Sequence, residues 1–204
     1  MNRPDPLRRR MMAASGLALA LPVLTACEQA PKASFKSVDI TGAEYARRFT
    51  LQDPDGRARS LTDFKGKLVV VFFGYTQCPD VCPTTLSALV ETKRLLGSDG
   101  SKLQPIFISV DPERDTPDLM RAYVSAFDPV FLGLRGTPEE TAATAKEFKV
   151  FYRKVEGKTP TSYTVDHTAA SYVFDREGRV RLYVRHATPP AELAEDLKTL
   201  LKLG

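Results

Sequence analysis

Leu68-Val69-Val70-Val71-Phe72-Phe73-Gly74 is an unbroken apolar run. Its length and its β-branched and aromatic content predict a strand buried on both faces. Residues 103–110 have the same character and predict a second buried strand. Between the two, Leu86, Leu89, Val90 and Leu95 recur at near-helical spacing and predict a helix over 82–96. Thr116-Pro117 and Thr137-Pro138 each join a capping hydroxyl to a proline in the first turn. They start helices that run to about 127 and 148, with a short strand over 130–134 between them. Residues 47–51 and 58–61 flank the turn Asp53-Pro54-Asp55-Gly56 and read as a β-hairpin. Residues 169–174 and 180–184 flank Asp175-Arg176-Glu177-Gly178 and form another. Pro189-Pro190 opens a last helix that reaches about residue 203.

Strand and helix alternate early, and a hairpin followed by a helix closes the chain. This order predicts an α/β fold with a mixed central sheet and helices on both faces. It is the order of a thioredoxin-like fold with an added N-terminal β-hairpin.

The chain has 204 residues and a net charge of +4. Arg3, Arg8, Arg9 and Arg10, against Asp5, place three of those charges in residues 1–26. The remainder is nearly neutral with interleaved signs, the pattern of a solvated surface, and does not point to nucleic acid. Arg8-Arg9-Arg10 followed by the apolar residues 11–24 has the form of a signal segment and is short for a membrane span. Leu24-Thr25-Ala26-Cys27 resembles the lipobox of bacterial lipoproteins. The resemblance implies cleavage before Cys27 and lipid on its sulfur. The domain expectation is therefore a signal peptide over 1–26, a flexible tether over 27–45 and a folded domain over 46–204. The folded domain would be extracytoplasmic and lipid-anchored, facing the periplasm in a Gram-negative cell.

With Cys27 lipidated, Cys78 and Cys82 are the remaining thiols. They lie between a predicted buried strand and a predicted helix, where α/β sheets bind ligands and where the helix N-terminus favours thiolate. A disulfide between them would close a loop of five residues, contributing roughly 2 kcal/mol against about 4.7 for a ~100-residue loop. Such a staple holds little, which leaves dithiol redox chemistry or a soft-metal site. Three residues separate the cysteines; the redox motif of thioredoxin-type enzymes has two. Two thiolates hold copper(I), and a site serving copper(II) as well needs a nitrogen donor. Only His167 and His186 are available. His167 precedes the strand over 169–174, where thioredoxins place the proline that faces their cysteines, and is the expected third ligand. Asp166 is the candidate to orient its imidazole. His186 reads as an ordinary surface residue. Met120 is alone outside the leader, so no methionine-based copper box exists.

Gly74-Tyr75-Thr76-Gln77-Cys78-Pro79-Asp80-Val81-Cys82-Pro83, Asp111-Pro112-Glu113-Arg114-Asp115-Thr116-Pro117 and Asp166-His167-Thr168, in that order, resemble the Sco/SenC family of cytochrome oxidase assembly proteins. The similarity runs from about Phe49 to the C-terminus. It implies binding of one copper ion, as copper(I) or copper(II), by Cys78, Cys82 and His167. It also implies delivery of that copper to the binuclear centre of cytochrome c oxidase, with the oxidase's copper-bearing subunit as partner. Periplasmic copper carriers or thiol reductants are further partners on this reading. Asp111 to Pro117 matches the family's acidic segment; a helix cap accounts for Thr116 and Pro117 and leaves Arg114 unexplained. The alternative function is a thiol-disulfide oxidoreductase that reduces the oxidase's copper-site cysteines through Cys78 and Cys82. That activity does not need His167.

Overall fold

The computed structural model describes residues 33–158 and 162–203. The leader, Cys27 and the first residues of the expected tether lie outside them. The strands are β1 (Val38–Asp39), β2 (Leu51–Gln52), β3 (Ala58–Arg59), β4 (Leu68–Gly74), β5 (Leu103–Ser109), β6 (Leu132–Leu134), β7 (Tyr152–Val155), β8 (Thr164–His167), β9 (Ser171–Phe174) and β10 (Val180–Val184). The α-helices are α1 (Val81–Leu95), α2 (Pro117–Ser125), α3 (Pro138–Glu147) and α4 (Pro190–Leu203).

The main sheet has the order β1-β10-β9-β4-β5-β6. β4, β5 and β6 run parallel, while β9 is antiparallel to β4 and to β10. This is the expected mixed, thioredoxin-like sheet. Alternation along β4 divides the core in two. Leu68, Val70 and Phe72 face a cluster with Leu86 and Leu89 of α1, Met120 and Val124 of α2, and Leu193, Leu197 and Leu200 of α4. Val69, Val71 and Phe73 face the other cluster, with Ala145 of α3, Phe148, Leu134 and Leu51. Helices therefore cover both faces, and both faces of β4 are dry. Phe148 anchors the second cluster, its ring 5.1 Å from that of Phe73 and 5.3 Å from that of Tyr172.

The proline-started helices form as their caps dictate. Thr116 Oγ1 accepts from Leu119 N–H at 3.3 Å. Thr137 and Glu140 complete a reciprocal capping box at 2.8 and 3.2 Å.

Three expectations need correction. The hairpin expected over 47–61 pairs only Leu51–Gln52 with Ala58–Arg59, and Leu61–Phe64 turns into a 3-10 helix. Its buried Asp53 accepts from the backbone N–H groups of Asp55 and Arg57, each at 2.9 Å, and this local turn limits the pairing. The tether expected over 27–45 is already docked by residue 36. The N–H groups of Lys36 and Ser37 donate to the buried Asp196 carboxylate at 2.7 and 2.8 Å, and β1 pairs with β10. Finally, residues 152–167 contain the two-stranded ribbon β7–β8, separate from the main sheet, where no strand is predicted.

Candidate metal centre

β4 ends at Gly74, and α1 begins at Val81. The intervening loop turns at Cys78, whose N–H donates to Tyr75 O at 3.1 Å. Cys78 is half-buried there. Cys82, in the first turn of α1, is fully buried. Gly74 makes room for it: a Cβ on residue 74 would lie 2.7 Å from Cys82 Sγ and 2.8 Å from Phe107 Cε2.

His167 arrives from the end of β8. Its Nε2 lies 3.8 Å from Cys82 Sγ. Among the described residues, Cys78, Cys82 and His167 form the one group of metal-ligating side chains whose donor atoms converge, all within 4.8 Å of one another. The His167 ring packs edge-on against Tyr75 and Phe72, each with centroids 6.0 Å away. These rings close the apolar side of the site.

His167 Nδ1 lies 3.1 Å from the carbonyl oxygen of Thr168. A carbonyl only accepts, so Nδ1 carries the proton and Nε2 presents a lone pair to the sulfurs. Burial also pushes the imidazole below its ordinary pKa, outweighing the opposing pull of Thr168 O and Asp166. The ring is thus neutral and ready to ligate at neutral pH. Asp166 does not hold the imidazole. Side chains alternate along β8, so Val165 and His167 turn inward and Asp166 outward. Asp166 instead accepts from Arg153 Nη2 at 3.3 Å on the surface.

The electrostatics of Cys82 also differ from expectation. The helix N-terminus favours thiolate, but burial dominates and pushes the Cys82 thiol far up, assisted by Cys78 and Asp115. In the metal-free state Cys82 is a neutral thiol, and a metal must displace its proton.

His186 sits on the exposed turn after β10, outside this group. Met120 is buried in the core.

The segment 111–117, unexplained by its cap alone, braces the cysteine loop. Buried Asp115 accepts from Thr76 Oγ1 at 2.6 Å and Thr76 N–H at 3.2 Å, two residues before Cys78. It also accepts from Ser109 Oγ at 2.5 Å. Burial raises its pKa, and the hydroxyl and amide donors pull the other way. Arg114 pairs with Asp111 and reaches the ribbon through Tyr163. No periodicity marks these residues; the only available signal was an arginine that a helix cap did not need.

Two sulfurs and one imidazole nitrogen, partly dry and without a carboxylate, suit a soft or borderline ion and not calcium or magnesium. A SCO2-like protein of Rickettsia felis is 35% identical over 151 residues, 74% of this chain and 74% of that protein. The structure of Bradyrhizobium japonicum ScoI with copper bound is 46% identical, with a TM-score of 0.68 over 76% of this chain and 98% of that one. Yeast Sco1 with copper bound is 31% identical, with a TM-score of 0.72 over 78% of this chain and 90% of that one. Residues 38–202 match the SCO1/SenC family. With its cysteine pair and its histidine converging in the fold these relatives share, the chain belongs to the SCO1/SenC family.

Proposed function

We propose that this chain binds one copper ion through Cys78, Cys82 and His167 and hands it to the binuclear copper centre of cytochrome c oxidase. The observation that carries the reading is the convergence of the three donor atoms within 4.8 Å, with the imidazole held neutral. A Cys2His set by itself also suits zinc; the copper-bound relatives at 46% and 31% identity favour copper. Another relative is described as a member of the Sco family of cytochrome c oxidase assembly proteins, which supports the oxidase as client. Copper is the cargo here, so the site must release it as well as bind it. Half-exposed Cys78 offers the route by which an acceptor's thiolate displaces the site's ligands.

A second reading is thiol reduction of the oxidase's copper-site cysteines. Its support is the pairing of an accessible thiol, Cys78, with a buried one directly behind it, Cys82, as attacking and resolving thiols require. Lipidation at Cys27, with the domain held at an extracytoplasmic membrane face, belongs to the same proposal and rests on the lipobox-like Leu24-Thr25-Ala26-Cys27. No helix among the described residues is long and apolar enough to cross a membrane.

The deciding experiment compares Cys78→Ser, Cys82→Ser and His167→Ala. Copper delivery predicts one copper per reduced wild-type chain and none in either serine variant. His167→Ala keeps copper(I) on two thiolates but loses stable copper(II) and its thiolate-to-copper charge-transfer band. Normal oxidase assembly by His167→Ala at low copper would sink delivery in favour of reduction.

A further inference from the structure

We propose that Arg114 is the positioning residue that holds the His167-bearing ribbon against the cysteine loop, and that it thereby selects for the copper(II) state. The proposal rests on the copper-site reading above and adds to it a residue outside the ligand set.

A two-stranded ribbon is marginal in isolation, and β7–β8 stands apart from the main sheet. Its placement, and with it that of His167, depends on what ties it down. Buried Val165 plugs it into the core, and Lys154 Nζ meets Glu113 Oε2 at 2.6 Å on its exposed side. The Tyr75 hydroxyl also hydrogen-bonds the Val165 backbone. A further tie is Arg114, which touches three parts of the site at once. Its Nε pairs with buried Asp111, just past the end of β5. Its Nη1 donates to Gln77 Oε1 at 3.2 Å, one residue before Cys78. The same nitrogen donates to Tyr163 O at 2.9 Å, one residue before β8.

The Tyr163 ring lies on the guanidinium, 3.6 Å from Cζ to the ring centroid, and the Tyr75 ring stands 5.5 Å away. The Tyr163 hydroxyl donates to Asp111 at 2.8 Å and closes the cycle. One planar cation thus joins the strand end, the cysteine loop and the histidine ribbon. Lysine could keep the ion pair with Asp111, but it lacks the planar fork that bridges several acceptors while stacked on a ring.

The consequence is asymmetric. The two sulfurs sit on one continuous segment, the loop and the first turn of α1, so their spacing survives if the ribbon moves. The imidazole comes from the ribbon. Loosening Arg114 therefore withdraws the nitrogen donor and spares the dithiolate. Copper(I) is satisfied by two thiolates, and copper(II) is not.

The test uses the purified full chain and its Arg114→Lys variant, with copper(I) and copper(II) titrated separately and folding checked by circular dichroism. The expected result is copper(I) affinity within about threefold of wild type and copper(II) affinity at least tenfold weaker. The charge-transfer band should also decay as in His167→Ala. A copper(II) affinity and band like those of wild type overturn the proposal, and so does an equal loss of both oxidation states. Should Arg114→Lys fail to fold, Gln77→Leu, altered at an exposed side chain, decides. Weaker copper(II) with unchanged copper(I) supports the clamp, and no change overturns it. A wild-type chain that takes up no copper refutes the copper reading, not the clamp. Amide exchange over 164–167 in the metal-free protein then decides: faster exchange in Arg114→Lys supports the clamp, and equal exchange overturns it.

Discussion

Gly74→Ala tests whether the site depends on close packing beneath the sulfurs. The new Cβ would lie 2.7 Å from Cys82 Sγ, 2.8 Å from Phe107 Cε2 and 3.0 Å from Phe72 Cε1. Ordinary contacts begin near 3.4 Å, so each neighbour must retreat by several tenths of an ångström. The rings have little room. Phe72 and Phe107 are buried, 6.0 Å apart between centroids, and Phe107 is backed by Tyr123 at 5.6 Å. Overpacking of this kind costs about 1–3 kcal/mol. For a domain of this size that lowers Tm by roughly 3–9 °C. The sulfur is the smallest obstacle and moves first, by more than the ~0.2 Å tolerance of a metal–ligand bond. The expected outcome is a lower Tm in calorimetry of the metal-free protein and at least tenfold weaker copper affinity, with copper(I) and copper(II) both affected. That pattern differs from the selective loss of copper(II) expected at Arg114. An unchanged Tm together with unchanged copper affinity would refute the reasoning.

Four other outcomes follow from single features. Burial holds the folded-state His167 pKa below that of the unfolded chain, so the unfolded state takes up the proton first on acidification. Stability of the metal-free protein should fall as pH drops below about 6.5, the ordinary histidine value, and His167→Gln should flatten that fall in urea titrations. The raised Cys82 thiol has the opposite sign: stability should decline above the ordinary thiol range, near pH 8.5, as the unfolded state ionises first. Asp196→Ala removes the acceptor for Lys36 and Ser37 N–H and should cost about 1.5–3 kcal/mol, with faster amide exchange confined to residues 36–40. Cys27→Ser should abolish lipid attachment; mass spectrometry finding an unmodified mature terminus beyond Cys27 in the wild type would refute the anchor.

The elements legible in the sequence share one property, that their signal is local. β4 and β5 are apolar without interruption, α2 and α3 start at a threonine cap and a proline, and β9 and β10 flank a turn that Gly178 closes at φ +81°. The cysteine pair was legible for the same reason, since spacing and flanking elements suffice to put two sulfurs on one loop. Tertiary structure decided the rest. β1 is two exposed residues whose partner lies more than 140 positions away, so only the backbone of β10 makes it a strand. β7 and β8 are short and half-polar, and they pair because Val165 finds the core and Arg114 and Lys154 find their partners. Sequence proximity pointed to Asp166 as the support of His167, but the pleat turned it away and left Thr168 O in that place. The Cys82 thiol is raised, not lowered, because residues remote in the chain exclude water from it. Burial and orientation depend on neighbours that only the folded chain assembles, whereas propensity, caps and ligand spacing are written residue by residue.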